Sequence, residues 1–226
     1  MVNLITNFLI RRPQYNFSEF QRIARDSVIL GISREAARKA SLSSGHTKSR
    51  PYVRAAIDPF FDYIEKHGLV GRPSYDHITE YYRFGPRTKI PCSPTAIASG
   101  AKGYLLLLAL PWKNLPFSDF HFRLIFTVLE DALFSLSDFR QADGRLVIFP
   151  EDPENSESRT TIEVKRGDFR LYSKSDMNDL GHLWLKAAEE AKILASQHPS
   201  ASNQKDAPTK QPNVEPHPWL IPPSGM

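Results

Sequence analysis

Apolar residues recur at helical spacing early in the chain. Phe20, Ile23, Ala24 and Ser27 follow at helical spacing in a helix that starts near Asn16 or Ser18, where Asn16 with Glu19 reads as a capping box. Gly31 interrupts the pattern. Ser33 then caps a second helix, with Glu35 in its first turn and a narrow face of Ala36, Ala37 and Ala40. Residues 41–50, SLSSGHTKSR, read as a loop around Gly45. Asp58-Pro59 has the form of a helix start, with Phe60, Phe61 and Ile64 as the apolar face and Gly68 as the stop, while Pro51 opens a shorter helix just upstream.

Beyond Gly71 the texture changes. Residues 78–84 are aromatic and strand-like, and Gly85, Pro86, Pro91 and Pro94 then mark a linker. Residues 104–110 form a continuous apolar run between Gly103 and Pro111, short enough to predict a buried strand. Ser118 or Asp119 begins a helix with Ile125, Val128, Leu129, Ala132, Leu133 and Leu136 on one face. Residues 145–149, 160–165 and 169–172 predict a three-stranded meander, with the acidic loop 151–158 and the Arg166-Gly167-Asp168 turn between its strands. Ser175 caps a last helix whose stripe is Leu180, Leu183, Trp184, Ala187, Ala188, Ala191 and Leu194.

From residue 196 the chain is rich in Ser, Gln, Asn and Lys, and seven of its eighteen prolines fall there. Such a composition predicts a disordered tail, because it cannot bury enough apolar area to offset ordering entropy. Trp219, Leu220 and Ile221, framed by prolines, form an island suited to docking on a protein partner.

The chain as a whole carries +4, which says little about partners. Residues 1–56, however, hold ten basic residues (Arg11, Arg12, Arg22, Arg25, Arg34, Arg38, Lys39, Lys48, Arg50 and Arg54) against Glu19, Asp26 and Glu35, so this stretch is +7 and the remainder −3. Segregated charge of this kind points to a polyanion. A lone cysteine, Cys92, excludes a disulfide scaffold and points to a reducing compartment. No apolar run approaches the roughly 20 residues of a membrane helix. Arg11 and Arg12 follow the apolar residues 1–10 instead of preceding them, the wrong order for a secretory signal. The expected location is cytoplasmic.

Leu30-Gly31-Ile32-Ser33-Arg34-Glu35-Ala36-Ala37-Arg38-Lys39 resembles the turn and recognition-helix start of the helix-turn-helix superfamily. The resemblance implies that Gly31 makes the turn, Ile32 anchors it, and Arg34, Arg38 and Lys39 meet the groove or its phosphates. Ala37 stands where that superfamily usually has a larger apolar residue. Residues 61–70, FDYIEKHGLV, look like the last helix and first strand before the wing of a winged-helix domain. Arg72, Tyr81, Tyr82, Arg83, Phe84, Arg87 and Lys89 would then lie beside it, supplying cations for phosphate and aromatic faces for unpaired bases. Glu163-Val164-Lys165 with Asp152 resembles the acidic-plus-lysine core of restriction-endonuclease-like nucleases, which implies Mg²⁺ and an activated water. That family places its first Asp on a strand, whereas Asp152 follows Pro150-Glu151 in a loop. Strand alternation alone explains Glu163 and Lys165 as outward residues.

Other chemistry finds no pattern. Cys92 has no histidine nearby in sequence, Asp76, His77 and Glu80 lack further ligands for zinc, and neither a phosphate loop nor a dinucleotide fingerprint is present. No catalytic residue, metal ligand or cofactor is assigned. The expected fold is α+β, in three parts. Residues 14–90 are basic and mainly helical, helix-turn-helix or winged-helix-like; residues 95–195 run strand, helix, three-stranded meander, helix; residues 196–226 are the tail. The leading expectation is a non-enzymatic DNA-binding protein, regulatory or replication-associated and of plasmid or phage type, possible as a homodimer. Its binding residues would be Arg34, Arg38, Lys39, Lys48, Arg50, Arg54, Arg83 and Arg87. The alternatives are an adaptor using Trp219, Leu220 and Ile221, and, behind it, a Mg²⁺-dependent nuclease.

Overall fold

The computed structural model describes residue 2 and residues 17–43, 49–69, 71, 78–84, 88–100, 103–112, 117–155 and 158–197. The chain is α+β. Among the described residues beyond residue 16 the elements run α1 (Ser18–Ile29), α2 (Arg34–Ser43) and α3 (Arg50–Lys66), then strands β1 (Glu80–Phe84), β2 (Thr88–Cys92), β3 (Ala96–Gly100) and β4 (Gly103–Leu110). Then come α4 (Asp119–Ala132), β5 (Asp143–Ile148), β6 (Ile162–Lys165) and α5 (Lys174–Ser196). Backbone contacts divide the chain into a larger unit, Gln14–Tyr82 with Cys92–Tyr172, and a smaller one that includes Arg83–Pro91 and α5.

The larger unit is built on a four-stranded sheet in the order β3-β4-β5-β6. β3 pairs antiparallel with β4, β4 parallel with β5, and β5 antiparallel with β6. One face meets α1, α2 and α3. Leu105, Leu107, Ala109, Val147 and Phe149 from the sheet join Phe20, Ile23, Ala24 and Val28 of α1 and Val53, Ile57, Phe60 and Ile64 of α3 in one buried cluster. Leu106, Leu146, Ile148 and Val164 alternate to the other face and are equally buried. Parallel pairing of β4 and β5 requires a crossover, and α4 provides it. In the segment after α4, Phe134 lies so close to Gly144 that a Cβ there would come within 2.5 Å of the ring. Continuous apolar strands are what burial on both faces demands.

A polar tie seats α1. Thr95 donates its hydroxyl to the Gln21 side chain and accepts from the Ala109 amide (2.9 Å), and Gln21 in turn donates to the Ala109 carbonyl. Gly71 closes the layer: it bridges to Ala98 of β3, and its amide donates to the Val28 carbonyl at 2.9 Å. A Cβ at Gly71 would stand 2.6 Å from the Ile29 Cα and the Val28 oxygen, both backbone atoms. Gly71→Ala is therefore expected to cost about 2–3 kcal/mol, read as a lower midpoint in urea; an unchanged midpoint would show that α1 and the sheet tolerate separation.

Several sequence expectations need correction. The first helix begins at Ser18, one of the two expected starts, with Phe17 at its N-cap and no side-chain capping bond in place of the expected box. Asp58-Pro59 does not start a helix: α3 begins at Arg50 with Pro51 in its first turn, and Pro59 lies inside it. Burial of Val53, Ala56 and Ile57 against the sheet carries the helix through the proline. Gly68, at φ 56°, ends it as expected. The proposed linker contains β2, including Pro91, and the small-residue strand β3 was not foreseen. Residues 169–172 form no strand, because α4 satisfies them instead: Thr127 Oγ accepts from the Tyr172 amide (3.0 Å), Arg123 donates to the Arg170 carbonyl (2.8 Å), and Phe169 stacks on Phe122. The buried face of α4 is Phe122, Phe126 and Leu129, continued by Leu133; Ile125 and Val128 are half-buried.

In the smaller unit Ser173, not Ser175, caps α5, in a reciprocal box with Asp176. Trp184 meets Phe84 edge-to-face at 5.9 Å. Leu183 and Leu194, expected in the buried stripe, are 60% and 45% exposed.

Candidate nucleic-acid interface

The helix pair around Gly31 has the local geometry its sequence suggests. Gly31 takes φ 67°, a left-handed conformation open to glycine, and turns the chain between α1 and α2. The Ser33 hydroxyl accepts from the Ala36 amide at 3.2 Å and so caps α2. Only Ala37 and Ser41 of α2 are buried, so the helix lies on the surface, attached by a narrow stripe. Small residues there let α2 approach its neighbours closely, and they leave its basic side chains outside.

Those side chains are held by acids of the same layer. Arg34 reaches Asp62 (2.7 Å) and Glu65 (2.9 Å) of α3, with its guanidinium over the Phe61 ring. Its pKa is raised: partial burial works against the charge, but those two carboxylates outweigh it. Arg38 pairs with Asp58 at 2.7 Å, and Lys39 with Glu35 one turn back at 3.0 Å. The +7 of residues 1–56 is thus a property of where the count stops, since Asp58, Asp62 and Glu65 lie just beyond it on the helix that α2 packs against. Among the described residues of the helical layer, eight cations face six carboxylates, and all six carboxylates are paired.

Further cations converge elsewhere in the layer. Arg50 and Arg54 of α3 border a groove of about 690 Å³ together with Arg159, which no sequence pattern singled out. Arg50 donates to the Ser43 carbonyl (3.3 Å), and Arg159 to the Phe149 carbonyl (3.2 Å). Burial lowers the Arg159 pKa, although a guanidinium stays charged at any ordinary pH. Arg54 is exposed and makes no ion pair among the described residues. Arg83 is exposed on β1 and belongs to the smaller unit. Lys48, Arg87, Trp219, Leu220 and Ile221 lie outside the described residues, as do Arg72, Asp76 and His77.

Of the nuclease-like pair, Glu163 is held against the helical layer, whereas Lys165 is exposed as expected. Tyr63 donates to Glu163 Oε1 at 2.6 Å, Arg145 reaches the same oxygen at 3.2 Å, and Lys165 lies 3.4 Å from Oε2. Arg145 also donates to His67 Nδ1 at 3.1 Å. Burial pushes the Tyr63 phenol up, and its hydrogen bond to Glu163 adds to that. Burial and the Arg145 charge hold His67 down. Burial opposes ionisation of Glu163, but the Tyr63 hydrogen bond and the Arg145 and Lys165 charges prevail and lower its pKa. This arrangement clamps the end of α3 to β5 and β6. Asp152 is engaged in its own loop, accepting from the Glu154 amide at 2.9 Å. Among the described residues no group of three His, Cys, Asp or Glu is placed to hold a metal ion. Cys92 is buried, which pushes its thiol pKa up. No described helix is long and apolar enough to cross a membrane.

Comparison with protein-family models, with curated proteins and with solved structures gives no match to this chain.

Proposed function

We propose that the chain is a non-enzymatic DNA-binding protein, regulatory or replication-associated, that engages duplex phosphates through α2 and the adjoining end of α3. The observation that carries this reading is the placement of α2: capped, turned by Gly31, buried only at Ala37 and Ser41, with Arg38 and Lys39 exposed. Arg38 and Lys39 are in exposed ion pairs, which contribute about 0–1 kcal/mol each, so phosphate can replace their carboxylates at little cost. Arg34, held by two carboxylates, acts mainly to orient α2 against α3.

Titration of a labelled duplex at two salt concentrations tests the reading. Phosphate contacts from Arg38, Lys39 and the exposed Arg54 of α3 predict an affinity about fortyfold weaker at 200 mM than at 50 mM salt. Arg38→Ala with Lys39→Ala should weaken binding about tenfold and flatten the salt slope by nearly two. The same pair of substitutions should leave stability within about 1 kcal/mol. No binding at low salt, or binding indifferent to salt, would sink the proposal.

A further inference from the structure

We propose that the outward side of α5 is a docking surface for the chain's own residues Trp219, Leu220 and Ile221. This goes beyond the nucleic-acid reading and does not depend on it, since α5 carries none of the cations assigned to duplex phosphates. Both α5 and the residues that follow it belong to the smaller unit. Three observations support the pairing.

The first is which side chains α5 buries. Beyond Leu185 the buried positions are all alanines, Ala187, Ala188 and Ala191, whereas Leu183, Ile193 and Leu194 are 60%, 58% and 45% exposed and Trp184 is 38% exposed. Leu183 and Leu194 lie about three turns apart and share one side of the helix, with Ile193 beside Leu194 and Trp184 at the border. The second is area. The exposed parts of four side chains of roughly 200 Å² each come to about 400 Å². A stable dimer buries about 800 Å² per partner, so the strip is too small to hold a second copy through α5 alone. It matches a segment of three large apolar side chains.

The third is what lies within reach. Residues 197–218 connect the end of α5 to Trp219 and hold one branched aliphatic residue, Val214, so residues 219–221 are the apolar cluster of the tail. A coil of that length spans about 26 Å, and Leu183 lies about 20 Å back along the helix from Ser196. Tethering at such a distance gives an effective concentration on the order of millimolar, so a weak contact suffices. Lys186 and Glu190 lie between Leu183 and Leu194 on the same side and are exposed. An occupant must meet them with polar groups. Pro218, Pro222 and Pro223 around the island disfavour a helix, and an extended segment offers its backbone carbonyls to Lys186.

Hydroxyl-radical footprinting of the full chain, at two protein concentrations tenfold apart, tests the pairing. Leu183, Ile193 and Leu194 are expected to react at least about threefold more slowly in the wild type than in a chain carrying Trp219→Ser, Leu220→Ser and Ile221→Ser. A threefold difference corresponds to a strip covered about two-thirds of the time. The reciprocal chain, with Leu183→Ser, Ile193→Ser and Leu194→Ser, should raise the reactivity of Trp219 by a similar factor. Those three positions are exposed, so circular dichroism of the variants is expected to match the wild type; if the helix variant loses signal, the tail variant alone decides. Equal reactivity of the strip in the wild type and the tail variant overturns the proposal. Protection that grows with protein concentration also overturns it, and assigns the strip to a second copy of the chain. Duplex affinity of the tail variant should equal that of the wild type, so absence of DNA binding defeats the reading of α2 and leaves the docking of the tail standing.

Discussion

Replacing Phe149 by alanine is expected to destabilise the larger unit by about 4 kcal/mol, the largest effect of any substitution considered for it. Phe149 is fully buried and completes a triangle of rings, 6.0 Å from Phe20 of α1 and 6.1 Å from Phe60 of α3, which are themselves 5.8 Å apart. All three contacts are edge-to-face, a geometry that adds to the area buried. Removing the middle ring leaves a cavity between the sheet and both helices, and the surrounding backbone cannot collapse into it without shifting α1 and α3 together. Urea denaturation should show the loss directly, and Phe149→Leu should recover more than half of it. A loss of under about 1 kcal/mol would mean that the helical layer does not depend on the aromatic triangle.

Glu163→Ala is expected to cost about 3 kcal/mol at neutral pH, at the low end of what breaking a buried pair costs because both partners keep some solvent contact. It leaves Arg145 half-buried beside Lys165 and removes the acceptor of the Tyr63 hydroxyl. Tyr63→Phe, which keeps Glu163 with Arg145, should cost only about 1 kcal/mol. The same cluster sets an acid response. His67 and Glu163 both have folded-state pKa values below their unfolded ones, so on acidification the unfolded chain takes up protons first. Their contribution is complete above the unfolded values. It is lost in two stages, below about pH 6.5 for His67 and below about pH 4.3 for Glu163. Glu163→Ala should remove the lower stage, measured as the denaturation midpoint across that range. A wild-type midpoint that stays level from neutral pH down to the folded-state value of His67 would contradict the linkage.

Two kinds of residue explain what could be read in advance. The apolar run ending at Leu110 was legible as a buried strand because a segment covered on both faces has no polar position to hide its pattern. Ser33, Gly31 and Gly68 were legible because caps and positive φ angles are local properties of the residue. Pro59 misled for the complementary reason. Aspartate before proline is a start signal within one turn, but the packing of Ile57, Phe60 and Ile64 against the sheet extends the helix through it. Residues 169–172 alternate like a strand, yet their partners are Thr127 and Arg123 of α4, more than forty positions back in the chain.

By itself the sequence determined the α+β class, the turn and cap of the helix pair and the main buried strand, since spacing, capping and glycine conformation act over a few residues; that α2 lies on the surface, buried only at Ala37 and Ser41, came from the tertiary structure. Only the tertiary structure decided what the charges do. Arg34 and Arg38, expected to meet a nucleic-acid groove, are paired with acids on α3. Glu163, read as facing outward, was found clamped beneath α3, and Arg159 was found at the groove with Arg50 and Arg54. Coulomb interactions act through space, so a charge balance drawn along the chain is replaced on folding by one between neighbours.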